Sequence, residues 1–338
     1  MKRIFACIAA ASLLALCGCF HAKPQQYSVT YYDVFDTVTT LTAQADSKAE
    51  FDETAEKIHA ELLEYHELFD IFKPYPGIIN LYIVNQTARI APVKADSRII
   101  DLLLDCKQAY EVTDGKVNAA MGTVLQLWYE ARNAGLDSPE YAFLPSQSQL
   151  DAASQHIDFN DVIIDEEAST VYFIDPHILL DVGAVAKGWA AQKVAENAPD
   201  GWLLSVGGNV CATGPKADGS AWNVAIQDPL DPNAYLHTLS VSDGCVVTSG
   251  DYQRTYIVDG KSYHHIIDPN TLYPASLWHS VTVVCNDSGI ADILSTALFL
   301  MDQESGQMLL DRYGAKALWM DVSGNVAYSP GFEELIRK

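Results

Sequence analysis

Basic residues are scarce in this sequence: 21 lysines and arginines stand against 44 aspartates and glutamates in 338 residues, a formal charge of −23. So acidic a chain repels a phosphate backbone, which argues against nucleic acid as a partner. Cysteines at metal-ligand spacing are also missing. Cys106, Cys211, Cys245 and Cys285 are widely scattered with no C-x-x-C pair among them, so a thiolate zinc site is excluded, and their even number establishes no disulfide pairing. They read as small buried apolar residues. No apolar run spans a bilayer comfortably, and that over residues 4–16 falls short. Short-period repeats and a Walker-type loop are absent. No serine or cysteine stands beside an evident base, which argues against acyl transfer through an internal nucleophile. What is plentiful is apolar surface: at 49% hydrophobic residues the chain buries a real core and is not disordered.

The first residues have the order of an export signal. Met1-Lys2-Arg3 is basic, residues 4–16 are apolar, and small residues follow at the cut. Leu16-Cys17-Gly18-Cys19 resembles the bacterial lipobox, in which the last cysteine is acylated and becomes the first residue of the mature chain. The expectation is therefore a signal peptide over 1–18, a lipid on Cys19, a short polar tether over 19–27 and a domain over 28–338, exported and anchored to a bacterial membrane on the periplasmic or extracellular side. Cleavage at an ordinary signal site nearby is the alternative. Loss of 1–18 removes Lys2 and Arg3 and no acidic residue, moving the formal charge from −23 to −25.

Along the mature chain, residues 27–43 are rich in Tyr, Val and Thr and suit a strand or hairpin. Phe51, Ile58, Leu62 and Phe69 then recur at helical spacing, with Ser47 and Glu50 as a capping box, until Lys73-Pro74-Tyr75-Pro76-Gly77 breaks the helix. A second helix is expected over 97–111, an apolar segment ending near Trp128, and a connection over 132–150 where two subdomains would join. Strand-like runs follow at 162–164, 171–174 and 178–180, then a helix over 184–197, then mostly strands interrupted by one apolar helix over 290–301. Strands and helices without regular alternation define an α+β fold of mixed sheets with packed helices.

Three segments carry chemistry. In the apolar helix over 290–301 the polar exceptions Asp292, Ser295 and Thr296 stand at i, i+3 and i+4, on one face, where a carboxylate and hydroxyls offer the hard oxygens Mg²⁺ prefers. Equally, Asp292 reads as a helix cap and Thr296 as a hydroxyl bonding back to the preceding turn. Asp181-Val182-Gly183-Ala184-Val185-Ala186-Lys187-Gly188 brings a strand to the start of a helix, where backbone N–H groups and Lys187 face any anion. Thr248-Ser249-Gly250-Asp251-Tyr252-Gln253-Arg254 runs into a strand that turns at Asp259-Gly260 and returns through His264-His265-Ile266-Ile267-Asp268-Pro269. Neighbouring strand side chains face opposite ways, so only one of His264 and His265 enters a given site.

In this order, together with Tyr32-Asp33-Val34-Phe35-Asp36-Thr37, Gly115-Lys116-Val117-Asn118, Val206-Gly207-Gly208-Asn209 and Ala225-Ile226-Gln227-Asp228-Pro229, these segments resemble the ApbE family, the FAD:protein FMN transferases. The resemblance spans nearly the whole mature chain. It implies an α+β fold with FAD in a cleft and Mg²⁺ on its pyrophosphate. The metal ligands it implies are Asp292, Thr296 and the backbone oxygen of Ala184, with Ser295 as a further contributor. Phe35, Lys116, Val117, Asn118, Asp181, Lys187, His265 and Ile266 would line the FAD site, with Phe72 or Tyr75 as the aromatic flavin contact. His265 and Asp292 are the implied catalytic groups. The reaction implied is transfer of FMN to a threonine or serine hydroxyl of an acceptor protein with release of AMP, the acceptor being a flavin-bearing subunit of a membrane redox complex of the Rnf or Na⁺-pumping NADH dehydrogenase type. An Mg²⁺-dependent FAD pyrophosphatase and a flavin-binding lipoprotein without catalysis are the competing functions. Departures from the family pattern are Val117 and Asn118, where an aromatic and an aspartate are usual, and Leu272, where glycine is usual.

Overall fold

The computed structural model describes residues 24–337; the expected signal peptide, Cys19 and the start of the tether lie outside the described residues. The chain opens with a hairpin, β1 (Gln25–Val34) and β2 (Thr37–Ala45), followed by α1 (Lys48–Phe69), α2 (Leu81–Thr87), β3 (Val93–Lys94), α3 (Ser97–Val112), α4 (Gly122–Asp137) and α5 (Gln147–Ala153). Next come β4 (Val162–Asp165), β5 (Thr170–Phe173), α6 (Ala186–Asn197), β6 (Trp202–Val206), β7 (Asn209–Ala212), β8 (Trp222–Asp228), β9 (Asp231–Val241) and β10 (Gly244–Gly250). The C-terminal part adds β11 (Tyr256–Val258), β12 (Lys261–Tyr263), β13 (Trp278–Cys285), α7 (Ser288–Phe299), α8 (Gln303–Tyr313), β14 (Lys316–Asp321) and β15 (Val326–Tyr328).

An eight-stranded antiparallel sheet in the order β1-β2-β6-β7-β10-β13-β14-β15 organises the molecule. Strand periodicity divides its side chains between two cores. Cys245 and Val247 of β10, with Ala317 and Trp319 of β14, face the main core built by α1, α6 and α7, including Phe51, Leu62, Leu294 and Phe299. Their neighbours Val246 and Leu318 face the opposite side, covered by the β8–β9 hairpin through Trp222, Val224 and Leu239. A smaller cluster joins α4 and α5 to the β11–β12 hairpin through Trp128, Ala131, Leu150 and Tyr256. The mixed α+β architecture is the one expected.

Local signals explain the boundaries. Ser47 Oγ accepts from Glu50 N–H at 3.2 Å, so the Ser47 half of the expected capping box starts α1. Asp259 and Gly260 both take positive φ, 50° and 78°, as a two-residue hairpin turn requires. Residues 132–150 are not a connection: α4 continues to Asp137, where Pro139 disfavours further helix, and α5 begins at Gln147 behind a full Ser146–Gln149 capping box. The pattern hid this because α4 buries only small residues beyond Trp128, namely Ala131 and Gly135. Residues 178–180 form no strand, only a single parallel bridge from Leu179 to Met121. The four cysteines of the domain are free thiols, three of them buried, and Cys211, Cys245 and Cys285 lie side by side across β7, β10 and β13. Among the described residues no helix is long and apolar enough to cross a membrane.

Gly122 shows how tightly the α4 lobe meets the rest. Its N–H donates to the Leu179 carbonyl at 2.9 Å, and a Cβ at this position would fall well inside van der Waals contact of that same oxygen. Gly122→Ala is expected to destabilise the fold by about 1–3 kcal/mol through backbone displacement. A lower urea midpoint at unchanged slope checks this, and an unshifted midpoint refutes it.

Candidate FAD and metal site

Two connected chambers of about 560 Å³ and 140 Å³ lie between the main sheet and the α4 lobe, sharing Tyr129, Asp181, Gly183, Lys187 and Arg254 in their walls. The smaller chamber gathers Lys116, Val117, Asn118, Asp181, Ala184, Lys187, His265, Ile266, Asp292 and Thr296, so ten positions singled out from the sequence meet on one surface. Phe35 lines the larger chamber instead. Ser295 lines neither: its Oγ is 2.8 Å from Ser249 Oγ and donates to the Asp292 carbonyl at 3.1 Å, which places the hydroxyl behind the wall.

Asp292 anchors the arrangement. It is not the cap of α7, a role filled by Asp287, whose carboxylate accepts from Ile290 N–H at 2.8 Å. Nor does Thr296 bond back to its own helix; its Oγ1 lies 3.5 Å from Ser249 Oγ. Instead, Asp292 Oδ2 reaches across to α6 and accepts from Gly188 N–H at 2.9 Å. Helix α6 has no side-chain cap of its own, so a carboxylate from α7 satisfies one of its orphan N–H groups and meets the positive end of its dipole. Contact this close requires glycine: a Cβ at Gly188 would collide with Asp292 Cβ and the Ser288 carbonyl. Lys187 Nζ stands 3.5 Å from the same Oδ2 and 3.2 Å from the Gly183 carbonyl.

All hydrogen bonds of the Asp292 carboxylate to described residues use Oδ2, so Oδ1 has none with them, and Asp292 lines the smaller chamber together with Thr296 and Ala184. This donor set suits Mg²⁺: hard oxygens with a single carboxylate. Among the described residues no group of three or more His, Cys, Asp or Glu forms a metal cage. An ion held here would need water and ligand phosphate to complete its shell, the usual mode for Mg²⁺.

The remaining polar groups fall into clear roles. Asp181 is buried and accepts from Gly183 N–H at 2.9 Å and Tyr129 O–H at 2.8 Å; burial raises its pKa, offset in part by these donors and by Arg254 and Lys187. Burial together with Asp181 pushes the Tyr129 hydroxyl well above its usual range. Lys116 Nζ is held 3.0 Å from Asp268 Oδ1. Asn118, with both ends of its amide committed to the Ala120 N–H and the Ile157 carbonyl at 2.8 Å, shapes the wall rather than offering a free polar group. His265 lines the smaller chamber while His264 turns to the Ala275 carbonyl at 2.8 Å and the edge of Phe299; β12 ends at Tyr263, so loop geometry rather than the expected strand alternation separates the two rings. Burial, then the charges of Arg254, His264 and Lys187, push the His265 pKa down to about 3, and its Nδ1 is buried without a partner.

Of the two aromatic candidates, Phe72 lines the larger chamber at 64% exposure, whereas Tyr75 spends its hydroxyl on Asp70 and His66 outside it. Leu272 takes a φ of 64°, the left-handed conformation for which glycine is usual. Its carbonyl accepts from Trp128 Nε1 at 3.0 Å, which holds it there. Sequence reasoning missed Tyr129, Arg132 and Arg254 as wall residues; Tyr129 adjoins the noted Trp128 and Arg254 ends a noted segment, while Arg132 gave no signal.

Lys116, Arg132, Lys187 and Arg254 stand in the walls of the two chambers among the carboxylates of Asp36, Asp70, Asp181 and Asp292, and such a cleft defines a protein with a site for a large charged ligand. The comparisons give that class its family. Residues 26–319 match the model of the ApbE family, and the chain belongs to it. It is 33% identical over 310 residues to an FAD:protein FMN transferase of Treponema pallidum, covering 84% of this chain and 83% of that protein. A second FAD:protein FMN transferase, from Klebsiella pneumoniae, is 30% identical over 258 residues, covering 75% and 77%. The crystal structure of the ApbE protein of Thermotoga maritima superposes with a TM-score of 0.82 at 27% identity, covering 93% of this chain and 100% of that one.

The neutral His265 has a consequence for the ligand-free protein. The unfolded chain takes up a proton near pH 6.5 and the folded chain only near 3, so stability present above 6.5 is lost as pH falls between these values. The loss has a ceiling of ~1.4 kcal/mol per pH unit. Between pH 7 and 5, His265→Gln is expected to lose less stability than the parent by up to roughly 2 kcal/mol, read from urea midpoints. Identical pH dependence would refute a neutral buried imidazole.

Proposed function

We propose that this chain transfers FMN from FAD to a threonine or serine hydroxyl of an acceptor protein and releases AMP. The observation that carries the proposal is the Asp292 carboxylate, fixed through Oδ2 by Gly188 and flanked by Lys187, in a chamber wall that it shares with Thr296 and Ala184. The two relatives named above are both called FAD:protein FMN transferases, which supports the same reading.

In this reading the chambers bind FAD with its pyrophosphate at the shared wall. Lys187 and Arg254 lie there to offset its charge, as fixed cations that need no reorganisation when it binds. Asp292, Thr296 and the Ala184 carbonyl would hold Mg²⁺, whose contribution is to neutralise the pyrophosphate and make its FMN-side phosphorus open to attack. The acceptor hydroxyl oxygen bonds to that phosphorus, the bond to the AMP phosphate breaks, and the hydroxyl proton leaves. A neutral His265 is an acceptor for that proton, and the negative charge of bound pyrophosphate raises its low pKa toward a useful value. The nucleophile comes with the acceptor, which accounts for the lack of an internal one.

Incubation with FAD, Mg²⁺ and a flavin-bearing subunit of an Rnf-type or Na⁺-pumping NADH dehydrogenase-type complex tests this. Covalent FMN fluorescence on the acceptor, with one AMP per label, is the expected result; free FMN and AMP without labelling define a pyrophosphatase instead, and intact FAD defines a binding protein. Asp292→Ala, or removal of Mg²⁺ by a chelator, is expected to lower the rate by at least about a thousandfold. Turnover that survives either change rejects the metal assignment.

The lipobox-like Leu16-Cys17-Gly18-Cys19 supports an exported protein anchored through Cys19 to a bacterial membrane on the periplasmic or extracellular side. Cys19→Ser is then expected to abolish palmitate labelling and release the protein from washed membranes. Labelling that persists in the variant removes Cys19 as the anchor.

A further inference from the structure

We infer that His66 is a positioning residue for this site: its imidazole, backed by Tyr75 and Asp70, holds the strained turn that carries Phe35 on the wall of the larger chamber. The inference rests on the reading of that chamber as part of the FAD site.

Phe35 and Asp36 connect β1 to β2 with φ of 52° and 50°, a two-residue turn in a conformation that Asn and Gly adopt readily and a bulky side chain resists. An aromatic residue persists in such a turn only where its surroundings over-determine it. The Phe35 N–H donates to His66 Nδ1 at 3.2 Å. Because a backbone N–H is a donor only, Nδ1 carries the lone pair and the imidazole proton sits on Nε2. Nε2 lies 3.2 Å from Tyr75 Oη, and Tyr75 donates its own proton to Asp70 Oδ2 at 3.0 Å. Asp70 Oδ1 accepts from Phe72 N–H at 2.7 Å and Lys73 N–H at 3.2 Å. One chain of hydrogen bonds thus ties two aromatics of the chamber, the half-buried Phe35 and the exposed Phe72, to the end of α1.

Helix α1 acts as the ruler. His59 precedes His66 by two helical turns and so stands on the same face. It stacks on Tyr31 at 3.7 Å and bonds Asp33 at 2.8 Å, while His66 meets the Phe35 ring edge-on at 5.7 Å. The last residues of β1 are therefore gripped at two heights before the turn begins.

The test compares His66→Ala, His66→Asn and His66→Gln. Asparagine places an oxygen where Nδ1 stands, and glutamine places its oxygen near Nε2, so only asparagine restores an acceptor for Phe35. In FAD-free protein, amide exchange at Phe35 is expected to rise about tenfold in the alanine and glutamine variants and to stay near the parent in the asparagine variant. The KM for FAD should rise about five- to tenfold in the first two with kcat within about twofold, as for a contact made equally in the ground and transition states, and should recover in the third. Unchanged exchange in His66→Ala, or an asparagine variant no better than glutamine, overturns the inference. A parent protein that fails to bind FAD in a fluorescence titration removes the functional reading, while the exchange comparison still decides whether His66 holds the turn.

Discussion

The site depends on one contact between two helices: the Asp292 carboxylate of α7 at the N-terminus of α6. It satisfies a helix N–H that has no cap of its own, sets the distance between the helices through Gly188, and places the carboxylate in the wall of the cleft. A helix dipole and a nearby lysine hold that single negative charge in place. In the proposed reading, a dication there would complete its shell with ligand phosphate, so that ion and dinucleotide would be coupled by charge.

Around that contact the cleft is less acidic than the chain as a whole. Lys116, Arg132, Lys187 and Arg254 line the chambers and offset the carboxylates of Asp36, Asp70, Asp181 and Asp292. Lys187 and Arg254 stand at the wall the chambers share. Burial and the same two cations hold the His265 pKa down.

Much of this was legible in the residues themselves. Helix α1 followed from the spacing of Phe51, Ile58 and Leu62 behind Ser47, and the β11–β12 turn from Asp259-Gly260, because these are local preferences expressed within a few residues. The polar face of α7 was legible for the same reason. The extent of α4 was not, since small residues such as Ala131 and Gly135 are buried by close approach rather than by hydrophobic bulk. Nor was the fate of Ser295, which shares a helical face with Asp292 but is claimed by Ser249 of a strand far away in the chain.

By itself the amino-acid order determined where helices and turns begin and which helix carries a carboxylate and hydroxyls on one face, because short-range geometry is periodic. Only the tertiary structure decided that Asp292 serves α6 rather than capping α7, that Asn118 spends its amide on the backbone, and that Phe35 is held by His66. Those outcomes depend on distances between segments tens to more than a hundred residues apart, and packing alone sets them.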